Sequence, residues 1–467
     1  MMSASARITE PGSFRDRNNR VFYRDGLVYR SLSVSALEAW DRLAATKFFG
    51  PLMAAGKIIA TERAQEPGLM DADGPWVGVL KHARIPFISY PYEWSFGMLK
   101  DAALLQLELL LAALEEGMVL KDASAYNIQW RGTQPVFIDV VSFTPLRAGE
   151  PWVGYRQFCE MFLYPLFFAA YKGLAFQSWL RGRLDGIPVA DCARLMSFRD
   201  GFRPGVVTHV HLQNQMQKRY NQTQQDVRGN LQSAGFRPEM IRANATRLQQ
   251  IVKQLTWDPG PSEWSEYVDH TQYDQTAQQR KEQFVRQIVL SKRWRRVWDL
   301  GCNTGAYSKI AAENADCVVA MDADAACTER LYQTLKQEKH HTILPLVMAL
   351  TDPSPNMGWR LLERKGLAER GKPDLVLCLA LIHHIVISAN VPLQEWIQML
   401  ADLGCAVIIE FVTREDPMVK TLLRNKEDLY TDYDLRYFEQ SLAGAFAVRK
   451  REVLIPDMRI LFHAEPQ

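Results

Sequence analysis

Val297-Trp-Asp-Leu-Gly-Cys-Asn-Thr-Gly-Ala-Tyr-Ser308 (VWDLGCNTGAYS) is the stretch on which the reading of this chain turns. An apolar run ends in an acid and Gly301, and a second glycine, Gly305, opens a helical pattern. Strand, glycine turn and helix in that order give a Gly-rich loop functional meaning. Gly301 lets the chain turn sharply off the strand, and Gly305 lets a ligand lie against the backbone at the helix entrance. On this reading a side chain at either position would occupy the ligand's space, and Cys302 and Asn303 line the same turn. The next apolar run, CVVAMDAD, places Asp322 at a strand end, where a carboxylate can accept hydrogen bonds from both hydroxyls of a ribose.

Working outward, apolar runs and helical patterns alternate. Strands are expected at Arg296 to Leu300, Cys317 to Asp322, Thr342 to Met348, Asp374 to Leu379 and Ala406 to Phe411. Helices are expected at Arg280 to Ser291, Tyr307 to Asn314 and Ala325 to Glu338. Such alternation predicts an α/β fold with a doubly wound, mainly parallel sheet covered on both faces. The last runs, Phe446 to Ile455 and Arg459 to His463, are separated only by a short turn and predict an antiparallel hairpin at one edge. A nicotinamide dinucleotide is the rival ligand, but G-x-x-x-G lacks the G-x-G-x-x-G that brings a helix start up to a pyrophosphate.

From about Trp264 to Glu465 the sequence resembles a class I S-adenosylmethionine-dependent methyltransferase, a Rossmann-like fold with a carboxyl-terminal antiparallel hairpin. The resemblance implies S-adenosyl-L-methionine as cofactor, with Asp299, Gly301 and Gly305 around its methionine end and Asp322 on its ribose. It also implies a lid or leading helix at Trp264 to Phe284, from which Tyr267, Tyr273 and Lys281 would touch or cover the cofactor. The adenine contact is expected after the third strand, where Ala349 stands in place of an acid and backbone groups would serve.

The fourth strand runs out into CLALIHHIVIS, and open α/β sheets receive substrates at the carboxyl ends of their strands. His383 and His384 are therefore candidates for taking a proton from an acceptor hydroxyl. Glu410, ending the next strand, is a further candidate base or positioning group. Methyl transfer from a sulfonium is an in-line displacement that alignment can accelerate without an essential base. The reading names no metal in this domain.

In the other half, Lys121-Asp-Ala-Ser-Ala-Tyr-Asn127 is followed by Phe137-Ile-Asp139. An Asp, an Asn five residues on, and an Asp after a short strand resemble the constellation of protein-kinase-like and aminoglycoside-phosphotransferase-like folds. The resemblance implies an α+β kinase-like domain and assigns Asp122 to the hydroxyl proton and Asn127 and Asp139 to magnesium, with Mg-ATP as ligand. The chain departs from the pattern: Leu120-Lys121 replaces the His of H-x-D, Val140-Val141 replaces Phe-Gly, and no Gly-rich loop precedes the hairpin. Arg30, with Glu38 as partner, stands where the phosphate lysine is expected, and an arginine is not its equivalent. The alternative is that the three residues merely cap turns.

Upstream, Val21 to Ser33 reads as a hairpin about Asp25-Gly26. Ser35 reads as the cap of a helix to about Ala55, short strands follow at Lys57 to Thr61, Trp76 to Leu80 and Phe87 to Tyr90, and a long helix spans Asp101 to Glu116. The expected organisation is a flexible terminus over 1–13, a kinase-like domain over 14–215, a helical connector over 216–258 and the methyltransferase-like domain over 259–467.

A chain of 467 residues with net charge +2 predicts two cores and no global field for nucleic acid. Salt-dependent binding of RNA through Lys292-Arg-Trp-Arg-Arg296 is the corresponding alternative. Seven cysteines without a C-x-x-C pair suggest reduced thiols in a cytosol. Met1 to Pro11 carries no secretory pattern, so the expected location is cytoplasmic. The apolar stretch Phe158 to Leu180 is interrupted by Glu160, Pro165, Lys172 and Gly173, and predicts buried helices, with a membrane-resting surface as alternative. The two resemblances imply a methyltransferase of a small-molecule, glycan or lipid-linked acceptor, whose amino-terminal domain recognises that acceptor. The alternative is a bifunctional phosphotransferase and methyltransferase.

Overall fold

A computed structural model describes residues 7–66, 68–69, 74–147, 149–222, 237–260, 275–424, 426–427 and 429–467. The chain forms two compact units, one of residues 1–130, 134–258 and 358–364, the other of 131–133, 259–357 and 365–467.

In the second unit, seven strands make one sheet in the order Ile343–Val347, Val318–Asp322, Val297–Leu300, Leu375–Cys378, Ala406–Val412, Arg459–Pro466, Phe446–Ile455. The first five are parallel; Arg459–Pro466 runs antiparallel to both of its neighbours. Every residue of Ala406–Val412 is buried, as a strand covered on both faces requires. Helices Gln275–Val289, Ala306–Ala312 and Ala325–Gln337 cover the sheet with stripes such as Phe284, Val285, Ile288 and Leu331, Leu335. Asp324 caps the last of these by accepting from the amides of Ala326 and Cys327.

The first unit carries an antiparallel five-stranded sheet in the order Ile8–Thr9, Asn19–Arg24, Leu27–Leu32, Gly78–His82, Thr61–Arg63. Its hairpin turns at Asp25 and Gly26 with φ of 54° and 75°, the left-handed pair of a primed turn that matches strand twist. A 20-residue helix, Phe96–Glu115, is buried nearly all round, and Pro238–Gln254 packs against it. Two small antiparallel pairs, Met118–Leu120 with Phe143–Pro145 and the hairpin Ile128–Arg131 with Gln134–Phe137, flank the polar loop.

Several local expectations are corrected. Ile8–Thr9 pairs with Tyr23 and Phe22, and the Arg7 guanidinium lies 3.8 Å from the Phe22 ring centroid, so part of the expected flexible terminus is sheet. The cap of the first helix is Ser33, not Ser35, and that helix ends at Ala44, with a second at Phe49–Ala54. Phe87 to Tyr90 is not a strand: the amide and carbonyl of Ser89 are instead satisfied by the Gln129 side chain, both at 3.0 Å. Phe158, Phe162, Leu166, Phe167 and Phe168 are fully buried, which removes the membrane-resting reading of that stretch. Among the described residues no helix is long and apolar enough to cross a membrane.

Candidate functional site

In the second unit the glycine turn has the form its sequence calls for. Gly301 has φ 70°, Asn303 φ 49° and Gly305 φ 82°, and Gly305 is the residue from which the Ala306–Ala312 helix starts. At Gly305 a Cβ would stand 2.4 Å from Leu331 Cδ1, and at Gly301 3.0 Å from Leu381 Cδ1. At Gly305 a side chain would therefore collide with the packing of a neighbouring helix.

Asp299 is buried at the end of the central strand and accepts from Ser308 Oγ at 2.5 Å. Burial pushes its carboxyl up to about 6, against the Ser308 hydrogen bond and with help from the Asp322 charge. Asp322 accepts from the Asn303 amide on one oxygen and the Asp324 amide on the other, both at 2.8 Å. Burial raises its carboxyl and these two N–H groups offset part of the rise. Each carboxylate oxygen keeps a lone pair for a further donor. Cys302 is buried, and Ala349, after the third strand, is exposed. Tyr273, with Tyr267, lies outside the described residues.

Glu410 is not an isolated base. It is fully buried, with Lys281 Nζ at 2.7 Å and Arg459 Nη1 at 3.2 Å, and Arg459 Nε in turn reaches Asp416 at 2.8 Å. Lys281 also lies 4.7 Å from the Tyr307 ring centroid. Burial lowers the Lys281 ammonium, the Glu410 charge opposing. The His383 and His384 ring centroids lie 4.0 Å apart, with the rings tilted by 42°. His383 is fully buried, and neither of its ring nitrogens has a partner among the described residues. Burial, then the charges of His384, Arg459 and Lys281, holds His383 well below the usual histidine range, and burial with Arg459 lowers His384 to about 4.

In the first unit Asp122 lies near Asn127 and Asp139: it accepts from the Ser124 amide at 2.9 Å and feels the Asp139 charge, while Asn127 Nδ2 is buried with no hydrogen-bond partner among the described residues. Burial is the larger cause of the raised Asp122 carboxyl. Arg30 does not pair with Glu38, which is exposed; its guanidinium makes a short ion pair with Asp139. Ser142 Oγ occupies the other Asp139 oxygen at 2.5 Å. Burial would raise Asp139, but Arg30 and Ser142 outweigh it and hold the carboxyl below its ordinary value. His82 sits in the Arg30 and Asp139 field and is pushed down to about 3, chiefly by burial.

No protein-family model matches the sequence. The nodulation protein NoeA of Rhizobium meliloti (strain 1021) is 36% identical over 465 residues, spanning 97% of this chain and 95% of that protein. The chain belongs to the NoeA family. Solved structures align with under half of it. The N-methyltransferase NodS from Bradyrhizobium japonicum WM9 with S-adenosyl-L-homocysteine covers 44% of this chain and 99% of its own, at 10% identity and TM-score 0.32. The bifunctional kinase-methyltransferase WbdD covers 44% and 42%, at 20% identity and TM-score 0.31. Neither score fixes a fold by itself.

For this NoeA-family chain, sequence reasoning missed Arg459, Asp416, Ser308 and His82. The signal was a polar residue inside or beside an apolar run, as Arg459 is in RILFHA. The Lys292 to Arg296 cluster is largely spoken for: Arg293 pairs with Asp316 at 2.7 Å and Arg295 with Asp374 at 3.2 Å, while Trp294 is buried. All seven cysteines are free and buried.

Proposed function

We propose that the second unit binds S-adenosyl-L-methionine and transfers its methyl group to an acceptor hydroxyl. The observation that carries this reading is the pair Asp299 and Asp322 at the carboxyl ends of adjacent parallel strands, joined by a left-handed glycine turn without a pyrophosphate cradle. The residues fit that cofactor: Asp322 keeps acceptor capacity at a strand end for two hydroxyls, and Asp299 puts a buried, readily protonated carboxyl beside the turn. The cofactor would supply an electrophilic methyl on a sulfonium.

The chain's own residues then orient the acceptor. His384, half-buried beside the fully buried His383, accepts a hydrogen bond from a hydroxyl and aligns its oxygen; with its basicity lowered to about 4 it positions the group, and the hydroxyl proton leaves to water as the C–O bond forms and the S–C bond breaks. Glu410, tied to Lys281 and Arg459, serves as the counter-charge of two buried cations. We assign the first unit to acceptor recognition, because the Arg30 guanidinium, standing where the phosphate lysine is expected, pairs with Asp139 and a magnesium ion would have to compete with its positive charge. A role in nodulation, suggested by the name of the Rhizobium meliloti relative, belongs to the same proposal. Calorimetric titration with S-adenosyl-L-homocysteine tests the reading: Asp322→Ala should weaken binding by about 1–3 kcal/mol, the cost of unmet polar groups. Unchanged affinity in that variant, or no binding by the native chain, would overturn it.

A further inference from the structure

Phe158 to Leu180, read from the sequence as buried helices with a membrane-resting surface as the alternative, is mostly buried, and the structure exposes a different apolar pair. Phe198 is 87% exposed and Phe202 83%, on the 3-10 turn Phe198–Phe202. Their rings meet edge to face at 5.9 Å. This turn is braced from below. Asp200 is buried and its Oδ2 accepts from the Ser197 amide and hydroxyl, both at 2.6 Å, and from Lys172 Nζ at 2.5 Å. The phenylalanines are thus held outward by a fixed turn. Val207, 47% exposed, adjoins Gly201 and extends the apolar face.

Charge selects the partner. Arg199 and Arg203, next to the two rings, are exposed, and Arg203 leans 5.2 Å from the Tyr171 ring centroid. The one acid of the turn, Asp200, is consumed by Lys172. The turn therefore presents two aromatic rings and two arginines with no ion pair among the described residues. Its area is too small for another protein: two phenylalanine side chains offer roughly 300–500 Å², whereas a stable interface takes roughly 800 Å² from each partner. Short aromatic wedges flanked by arginine suit the boundary between headgroups and acyl chains of an anionic bilayer.

We propose that the Phe198–Phe202 turn is a membrane-docking wedge that seats the first unit on an anionic lipid surface. Flotation of the full chain with vesicles of phosphatidylcholine, with and without phosphatidylglycerol, tests it. The chain should float with the phosphatidylglycerol vesicles and lose binding as salt rises. F198S/F202S should reduce binding about tenfold or more, and R199E/R203E should abolish the preference for the anionic lipid. All four positions are exposed, so an unchanged thermal transition shows that the variants fold. No flotation, or equal flotation of F198S/F202S, overturns the proposal. So does a dimer in sedimentation that F198S/F202S dissociates without any vesicle binding, which would give the turn to a second copy of the chain.

Discussion

Glu410→Gln is the sharpest test of how the second unit is held together. The side chain is fully buried, and Lys281 and Arg459 around it are 5% and 6% exposed. With an effective dielectric of about 20, attractions across 2.7 and 3.2 Å are roughly 6 and 5 kcal/mol before desolvation is charged against them. Glutamine keeps the shape and removes the charge, so no cavity contributes. Arg459 then keeps its ion pair with Asp416, while Lys281 loses the carboxylate 2.7 Å from its Nζ. Breaking such an ion pair by removing one partner costs about 3–5 kcal/mol. For a unit of this size we predict a fall of roughly 6–20 °C in its melting transition. Urea unfolding followed by tryptophan fluorescence gives the free energy directly. The double variant K281M/E410L, which removes a cation with the acid, should recover part of the loss. A cost below about 1 kcal/mol for Glu410→Gln would mean that the charges are solvated and the reasoning fails.

Gly305→Ala should destabilise the second unit by about 2 kcal/mol or more, because φ is 82° and the new methyl meets Leu331 at 2.4 Å; denaturant midpoints read this, and Leu331→Ala should relieve part of it. Asp299, raised to about 6, binds its proton more tightly in the folded than in the unfolded chain. Its contribution is therefore fully present below about pH 4 and is lost as pH rises through about 6. Urea midpoints should fall across that window in the native chain and fall less in Asp299→Asn. In the first unit, Mg-ATP should give no saturable heat, since the Arg30 charge already neutralises Asp139. Saturable heat lost in Asp139→Ala would instead make that unit a phosphotransferase.

The parallel strands of the second unit were legible because they are short, mainly apolar runs, the pattern of strands buried on both faces. The turn from Gly301 to Gly305 was legible because few residues accept φ above zero. What escaped were pairings across sequence distance. Nothing in the neighbourhood of Lys281 announces that it meets Glu410, 129 residues later, and nothing near Arg30 announces Asp139 rather than Glu38. The strand Ile8–Thr9 escaped for another reason: two residues are too few to show a period of two.

The segment 358–364, counted with the first unit, bears on how the chain is made. Glu363 accepts from Arg15 Nη2 at 2.6 Å and Nε at 2.9 Å, and the Arg364 guanidinium lies 3.8 Å over the ring of Tyr126, in the loop between Asp122 and Asn127. A ribosome that has released residue 258 has supplied almost all of this unit, yet not these last side chains. Another hundred residues must emerge before the Asp122 loop receives its cation. An amino-terminal fragment cut at the apparent domain boundary would fold with a gap beside its own polar loop, and the two halves of the sequence are not the two halves of the protein.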